Sequence, residues 1–230
     1  MKQPTRPVPV GGARTTVGPM RPSGLAVLAL GAVLMSGCAP SAQPSVPQVT
    51  VSGEPDTQRS LAPDEVLPAR KAAGIADCPT SDPKATQREG GLPAVTLDCM
   101  GGDTTVNLAG LPTGKPRVIN VWAQWCYPCN AEAPFLAQAS KELEGKVDFL
   151  GIDYDDPFPG KALDFAERHQ TLYPQLVDPK KATRVPLKVS VVPQTFFVDA
   201  QGKVVHRELT PFESVEDLRA AVDKHLGVKA

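Results

Sequence analysis

The chain has 230 residues, 41% of them apolar, and a formal net charge of −1. That composition supports one compact core with an extended leader, and near-neutrality argues against the basic footprint of a nucleic-acid binder. No apolar run reaches the roughly 18 residues that a spanning helix needs, which excludes a polytopic membrane protein.

The leader comes first. Lys2, Arg6, Arg14 and Arg21 all precede the first acidic residue, Glu54, and 14 of the 25 prolines fall within residues 1–93. Residues 24–35 (GLAVLALGAVLM) are uncharged and apolar, with Arg21 before them and the small pair Ser36-Gly37 after them. Positive, apolar and small, in that order, describe a secretory signal, here assigned to residues 1–37. Met20 to Gly24 already supplies a short positive region, so translation is expected to begin at Met20. The run Leu34-Met35-Ser36-Gly37-Cys38 resembles a bacterial lipobox, with Met35 in place of the usual Leu. The resemblance implies that Cys38 is diacylated and becomes the first mature residue, anchoring the chain to the outer face of the cell membrane. An unpaired thiol exposed in an oxidising compartment would otherwise remain. Residues 38–70 are rich in Pro, Ser and Gln and lack aromatic side chains. They bury too little surface to offset chain entropy and read as a disordered tether.

Structured punctuation begins near Leu92, and residues 92–230 read as the folded domain. Ala94–Leu97 and Thr104–Leu108 are short strands around the turn Met100–Asp103, a β-hairpin extension at the N-terminal side. Arg117–Ala123 is a largely apolar strand, expected to be buried on both faces. A helix over 130–144, a strand at Val147–Asp153 and a helix over 160–170 follow. A short strand at Gln175–Val177 and a short helix over 180–184 come next. Thr195–Asp199 and Lys203–Arg207 form a hairpin, and a last helix carries Leu218, Val222 and Leu226, with Ser214 and Asp217 as its capping box. This order predicts an α/β fold, a mixed central β-sheet flanked by helices.

Immediately after the apolar strand the chain reads Gln124-Trp125-Cys126-Tyr127-Pro128-Cys129-Asn130-Ala131-Glu132. A Cys-x-x-Cys between a buried strand and a helix puts Cys126 at the helix N-terminus, where unpaired N–H groups and the macrodipole favour a thiolate. The thiolate is the species that attacks disulfides. Cys129, one turn on, is placed to resolve the mixed disulfide, and Pro128 suits the first turn because it lacks an N–H.

The Trp-Cys-x-Pro-Cys motif after an apolar strand, with Pro134 later in the helix, resembles thioredoxin. The fuller pattern is similar to the TlpA/ResA-type membrane-anchored thiol-disulfide oxidoreductases. Val192-Pro193-Gln194-Thr195 matches that family's Val-Pro-x-Thr segment. The resemblance covers about residues 92–228 and implies a thioredoxin fold, a cis bond before Pro193 and a loop lying against the Cys-x-x-Cys. It implies substrate contacts at Trp125, Tyr127, Pro128, Val192 and Pro193. Thioredoxin has a buried Asp where this chain has Asn120, so that proton-transfer role has no counterpart at this position. Glu132 instead matches the Glu of ResA-like proteins three residues after the second cysteine, and is expected to tune Cys129 or move its proton. Its other reading is a Glu favouring a helix first turn.

With Cys38 lipidated and Cys126 and Cys129 redox-active, Cys78 and Cys99 are left to pair. A disulfide between them closes a loop of about 20 residues and fastens segment 71–91 to the domain, contributing roughly 3 kcal/mol. Two free buried thiols and a second redox relay are the alternatives. His169, His206 and His225 show no metal spacing and read as surface or hairpin residues. Asp153, Asp155 and Asp156 read as a solvated loop, and Lys180, Lys181 and Arg184 as a solvated helix face.

The expected activity is an exported thiol-disulfide oxidoreductase acting on protein thiols or disulfides through the Cys126/Cys129 couple, with no dissociable cofactor. The family resemblance implies a reductant, supplied by a membrane electron carrier and serving targets such as apocytochrome c. A disulfide-forming oxidant or isomerase is the alternative within the class. A copper- or zinc-handling lipoprotein lies outside it, although the second ligand pair of a structural zinc site is missing. The head is expected to act as a monomer, with no nucleic-acid partner and no metal.

Overall fold

The computed structural model describes residues 61–229. The signal sequence, the start at Met20, the lipobox with Cys38 and the tether up to residue 60 lie outside the described residues. Twelve elements follow. They are helix α1 (Pro63–Ala72), strands β1 (Thr96–Cys99) and β2 (Thr105–Asn107), a 3₁₀ turn (Leu108–Gly110) and β3 (Arg117–Trp122). Then come α2 (Tyr127–Glu142), β4 (Asp148–Tyr154), α3 (Pro159–His169), β5 (Gln175–Asp178), β6 (Gln194–Val198), β7 (Val204–Glu208) and α4 (Val215–Leu226).

All seven strands form one sheet, ordered β2-β1-β5-β4-β3-β6-β7. β3, β4 and β5 run parallel, and every other pairing is antiparallel. β3 lies inside the sheet between β4 and β6, and all six of its residues are buried. An apolar strand covered on both faces needs no polar alternation. Val118 packs with Leu136 of α2 and Leu218 and Val222 of α4. Ile119 and Val121 belong to the core on the other face, with Leu163 of α3 and Val66 of α1. α4 starts where Ser214 Oγ accepts the Asp217 N–H at 3.1 Å.

The hairpin β1–β2 widens the sheet through the β1–β5 pairing. Segment 73–91 has no regular element but is tied down at several points. Cys78 and Cys99 are joined by a disulfide. Buried Asn107 donates from Nδ2 to the carbonyls of Asp82 and Ala85 at 3.1 and 2.9 Å. The Asp82 N–H reaches the Gly110 carbonyl at 3.0 Å, an approach that any Cβ at residue 110 would obstruct.

Two elements differ from the sequence reading. Pro63–Arg70, expected within the tether, are helical: Pro63 opens α1, and the Ala62 N–H donates to Glu65 Oε2 at 2.8 Å. Val66 and Arg70, four residues apart, are buried against the domain. The helix expected at 180–184 is a run of turns. The Asp178 carboxylate takes the amides of Ala182 and Thr183 and the Thr183 hydroxyl, while Lys181 adopts φ 57°. That local capture competes with a helical ladder.

Candidate active site

β3 ends at Trp122, and the chain turns through Ala123–Trp125 into α2. Cys126 is the N-cap of α2, with extended backbone (φ −83°, ψ 109°), and its Sγ accepts the Cys129 N–H at 3.2 Å. A sulfur at this position receives an orphan helix donor and sits at the positive end of the dipole, which favours its anionic form. Cys126 and Cys129 are disulfide-bonded, with Cα atoms 5.2 Å apart. Both residues are buried, whereas the flanking Trp125 and Tyr127 are 54% and 86% exposed. The site therefore presents two large aromatic side chains around a shielded disulfide. Pro128 occupies the first turn of α2.

The turn is braced from three sides. Asn130 Nδ2 donates to the carbonyls of Gln124 and Cys126 at 3.2 and 2.9 Å, and its Oδ1 lies 3.1 Å from His169 Nε2. Trp125 Nε1 donates to the Asp155 carbonyl at 3.3 Å. Trp122 Nε1 donates to Gln175 Oε1 at 3.0 Å. The register Val121↔Gln194 carries the Val192–Pro193 bond, which is cis, to the C-terminal end of β3. Val192 shares a core cluster with both cysteines.

Glu132 lies one turn beyond Cys129 and is only 1% exposed. Its Oε1 accepts from Asn120 Nδ2 at 2.8 Å, and its Oε2 accepts the Phe212 N–H at 3.0 Å. Asn120 Nδ2 also donates to Thr195 Oγ1 at 3.0 Å, linking α2, β3 and β6. Burial pushes the Glu132 carboxyl up to about 7, against the two hydrogen bonds, which favour the anion. A carboxyl poised near neutrality beneath a dithiol can hold or release a proton at working pH. Sequence reasoning singled out Asn120 and Glu132 separately. Their contact, and those of Phe212 and Asn130, carried no local signal.

The acidic triplet requires correction. Asp153 and Asp156 are not solvated; they are 1% and 4% exposed, and Asp153 is the sixth residue of β4. Burial, reinforced by Asp156 and Asp178, pushes the Asp153 carboxyl well above the ordinary range. Among the histidines, His206 and His225 stack with ring centroids 3.8 Å apart.

A seven-stranded mixed sheet with a Cys-x-x-Cys capping the helix after a buried interior strand, and a cis-proline opening the antiparallel strand beside it, defines a thioredoxin-like protein. Residues 87–222 match the Redoxin family model, and the chain belongs to that family. It is 35% identical over 96 residues to the thiol:disulfide interchange protein DsbE homolog of Paracoccus denitrificans, covering 41% of this chain and 51% of that protein. It is 37% identical over 113 residues to DsbE of Pseudomonas fluorescens biotype C, covering 49% of this chain and 61% of that one. The chain thus spans between about half and two thirds of these relatives' lengths. Among solved structures, a secreted Mycobacterium tuberculosis disulfide oxidoreductase homologous to E. coli DsbE is 26% identical, with TM-score 0.51, covering 57% of this chain and 96% of the other.

Proposed function

We propose that the protein is a lipid-anchored, extracytoplasmic thiol-disulfide oxidoreductase that reduces disulfides in protein substrates. The observation that carries the reading is Cys126 at the N-cap of α2, accepting the Cys129 N–H and disulfide-bonded to Cys129. In the reduced protein the Cys126 thiolate attacks a substrate disulfide and forms a mixed disulfide. Cys129 then attacks Cys126 Sγ, the substrate leaves as a dithiol, and the Cys126–Cys129 disulfide re-forms. No dissociable cofactor enters this cycle. Glu132 takes the proton that Cys129 must lose. Trp125, Tyr127, Pro128, Val192 and Pro193 form the docking rim for an extended polypeptide. Similarity to thiol:disulfide interchange proteins and to a secreted oxidoreductase supports the activity and the location. The lipobox at Cys38 supports the anchor, and a membrane electron carrier would re-reduce the couple. The resemblance to TlpA/ResA-type proteins favours reduction, with apocytochrome c as one target.

The test is the midpoint potential of the Cys126–Cys129 couple in defined thiol buffers. A value near or below about −230 mV supports a reductant, and one above about −180 mV sinks it in favour of a disulfide-forming role. Cys129→Ser should trap substrates as mixed disulfides on Cys126, identifying them directly.

A further inference from the structure

The Cys78–Cys99 disulfide has a neighbour that a purely structural bridge does not need. Arg70, fully buried, projects from α1 and donates from Nη1 to Cys99 Sγ at 2.7 Å. A disulfide sulfur is a weak acceptor and a thiolate a strong, charged one, so this contact strengthens greatly when the S–S bond opens. The other sulfur is also provided for: Cys78 Sγ lies 3.4 Å from the Gln175 carbonyl, an acceptor that only a thiol can use. Cys99 is fully buried, whereas Cys78 is partly exposed. Access and leaving-group stabilisation therefore point the same way along one bond.

We infer that Cys78–Cys99 is a second redox-active disulfide, attacked at Cys78 and releasing Cys99 as a thiolate held by Arg70. The reductant is an external dithiol. Its first thiolate bonds to Cys78 Sγ as the Cys78–Cys99 bond breaks, and the electron pair leaves on Cys99. Its second thiolate then attacks the reductant sulfur of the mixed disulfide, and Cys78 leaves and takes up a proton. The reductant loses two electrons and becomes a disulfide, and the protein gains them as one thiol and one thiolate. Exchange with Cys126–Cys129 inside one molecule is out of direct reach. The row Trp122–Asp153–Val177–Asp98 spans three strand spacings, roughly 14 Å.

The charges around Cys99 set the balance. Arg70 is shared with Asp103, at 3.2 Å from Nη1 and 3.0 Å from Nη2, and with Asp77, at 2.7 Å. Asp98, Asp153 and Asp156 line with Cys99 a cavity of about 250 Å³. These carboxylates oppose a thiolate, and Arg70 is the group that favours it. This site is independent of the Cys126/Cys129 reading.

The test uses the full chain carrying Cys126→Ser and Cys129→Ser, equilibrated in graded reduced and oxidised dithiothreitol, quenched in acid, then unfolded and alkylated, with labels on Cys78 and Cys99 read by mass spectrometry. The two should label together while the far-ultraviolet spectrum stays native, and the Cys99 thiolate should form below the ordinary thiol value of about 8.5. Adding Arg70→Gln should demand an at least tenfold more reducing mixture, whereas Asp103→Asn should shift the balance at least threefold the other way. If Arg70→Gln does not fold, Asp103→Asn and the thiolate titration still decide. A bridge that opens only in mixtures where the far-ultraviolet spectrum is no longer native, an ordinary Cys99 titration, or shifts of both variants in one direction would overturn the proposal.

Discussion

Asn120 of β3 and Glu132 of α2 meet at 2.8 Å under the Cys-x-x-Cys, each fully enclosed, and the contact couples a buried carboxyl to the strand that carries the site. Thr195 and the Phe212 N–H complete the arrangement.

Glu132 sets a pH dependence of stability whose sign is fixed by its raised value. Its folded-state value is about 7, against 4.5 ordinarily, so between these limits the folded protein binds the proton and the unfolded chain does not. Stability from this group is greatest below pH 4.5 and falls as pH rises to about 7. Glu132→Gln removes the slope. Urea unfolding of both proteins at pH 5 and pH 8 should show the variant gaining on the order of 3 kcal/mol relative to wild type between the two. An unchanged difference would rule out a perturbed Glu132. In the reduced proteins, alkylation of Cys129 should lose an inflection near neutrality in the variant.

Gln194 follows the cis-proline and is 1% exposed, yet neither end of its side-chain amide has a partner. An unpaired buried amide carries its full desolvation penalty, and an apolar side chain of similar length does not. Gln194→Met is expected to raise stability by about 1 kcal/mol, read as a higher urea midpoint at unchanged slope. A lower midpoint would show that the amide is satisfied in solution.

Most of the sheet was legible because its signals are local. An apolar six-residue strand, the Cys-x-x-Cys and a capped α2 occupy adjacent residues, and Val-Pro-x-Thr marks the start of β6. What escaped depends on residues far apart in the chain. Arg70 reads as tether composition because its partners, Asp77, Asp103 and Cys99, lie 7, 33 and 29 positions away. Asp153 and Asp156 read as a solvated cluster because charge is normally exposed. Yet β4 continues through Tyr154, which carries Asp153 into the sheet interior. Asn120, noted only as a departure from thioredoxin, becomes intelligible when α2 brings Glu132 over it.

Gly151 on β4 is a packing requirement of the site's supporting strand. A Cβ there would coincide with Gln175 Oε1, the acceptor of the Trp122 indole N–H. Gln175 is held in turn by its Nε2 donating to the Thr171 carbonyl at 3.0 Å. Gly151→Ala must displace that amide and strand a buried indole donor four residues before Cys126. The expected loss is about 2–4 kcal/mol, from overpacking plus an unsatisfied N–H. Thermal unfolding checks the loss, and tryptophan fluorescence should report the changed Trp122 environment. A variant as stable as wild type would show that Gln175 repacks freely.

His225 gives the opposite pH slope from Glu132. His225 lies parallel to His206, with an interplanar angle of 2°, and its pKa is lowered by burial first, then by the His206 and Lys224 charges, with Glu208 acting against them. As pH falls from about 6.5, the unfolded chain protonates His225 before the folded protein does. The folded state is thereby disfavoured, and stability from this group is lost toward the lowered folded value. Glu132 and His225 thus pull in opposite directions between pH 5 and 6.5, and a flat wild-type profile can conceal both. His225→Phe keeps an aromatic ring against Phe197, 5.4 Å away, and removes the titration. Its stability relative to wild type should improve progressively below pH 6.5 and stay constant above pH 7.5. Combined with Glu132→Gln, the two pH-dependent differences from wild type should add, because the two residues lie apart and share no partner. A wild-type-minus-variant difference that does not change with pH would mean that His225 carries no linked proton.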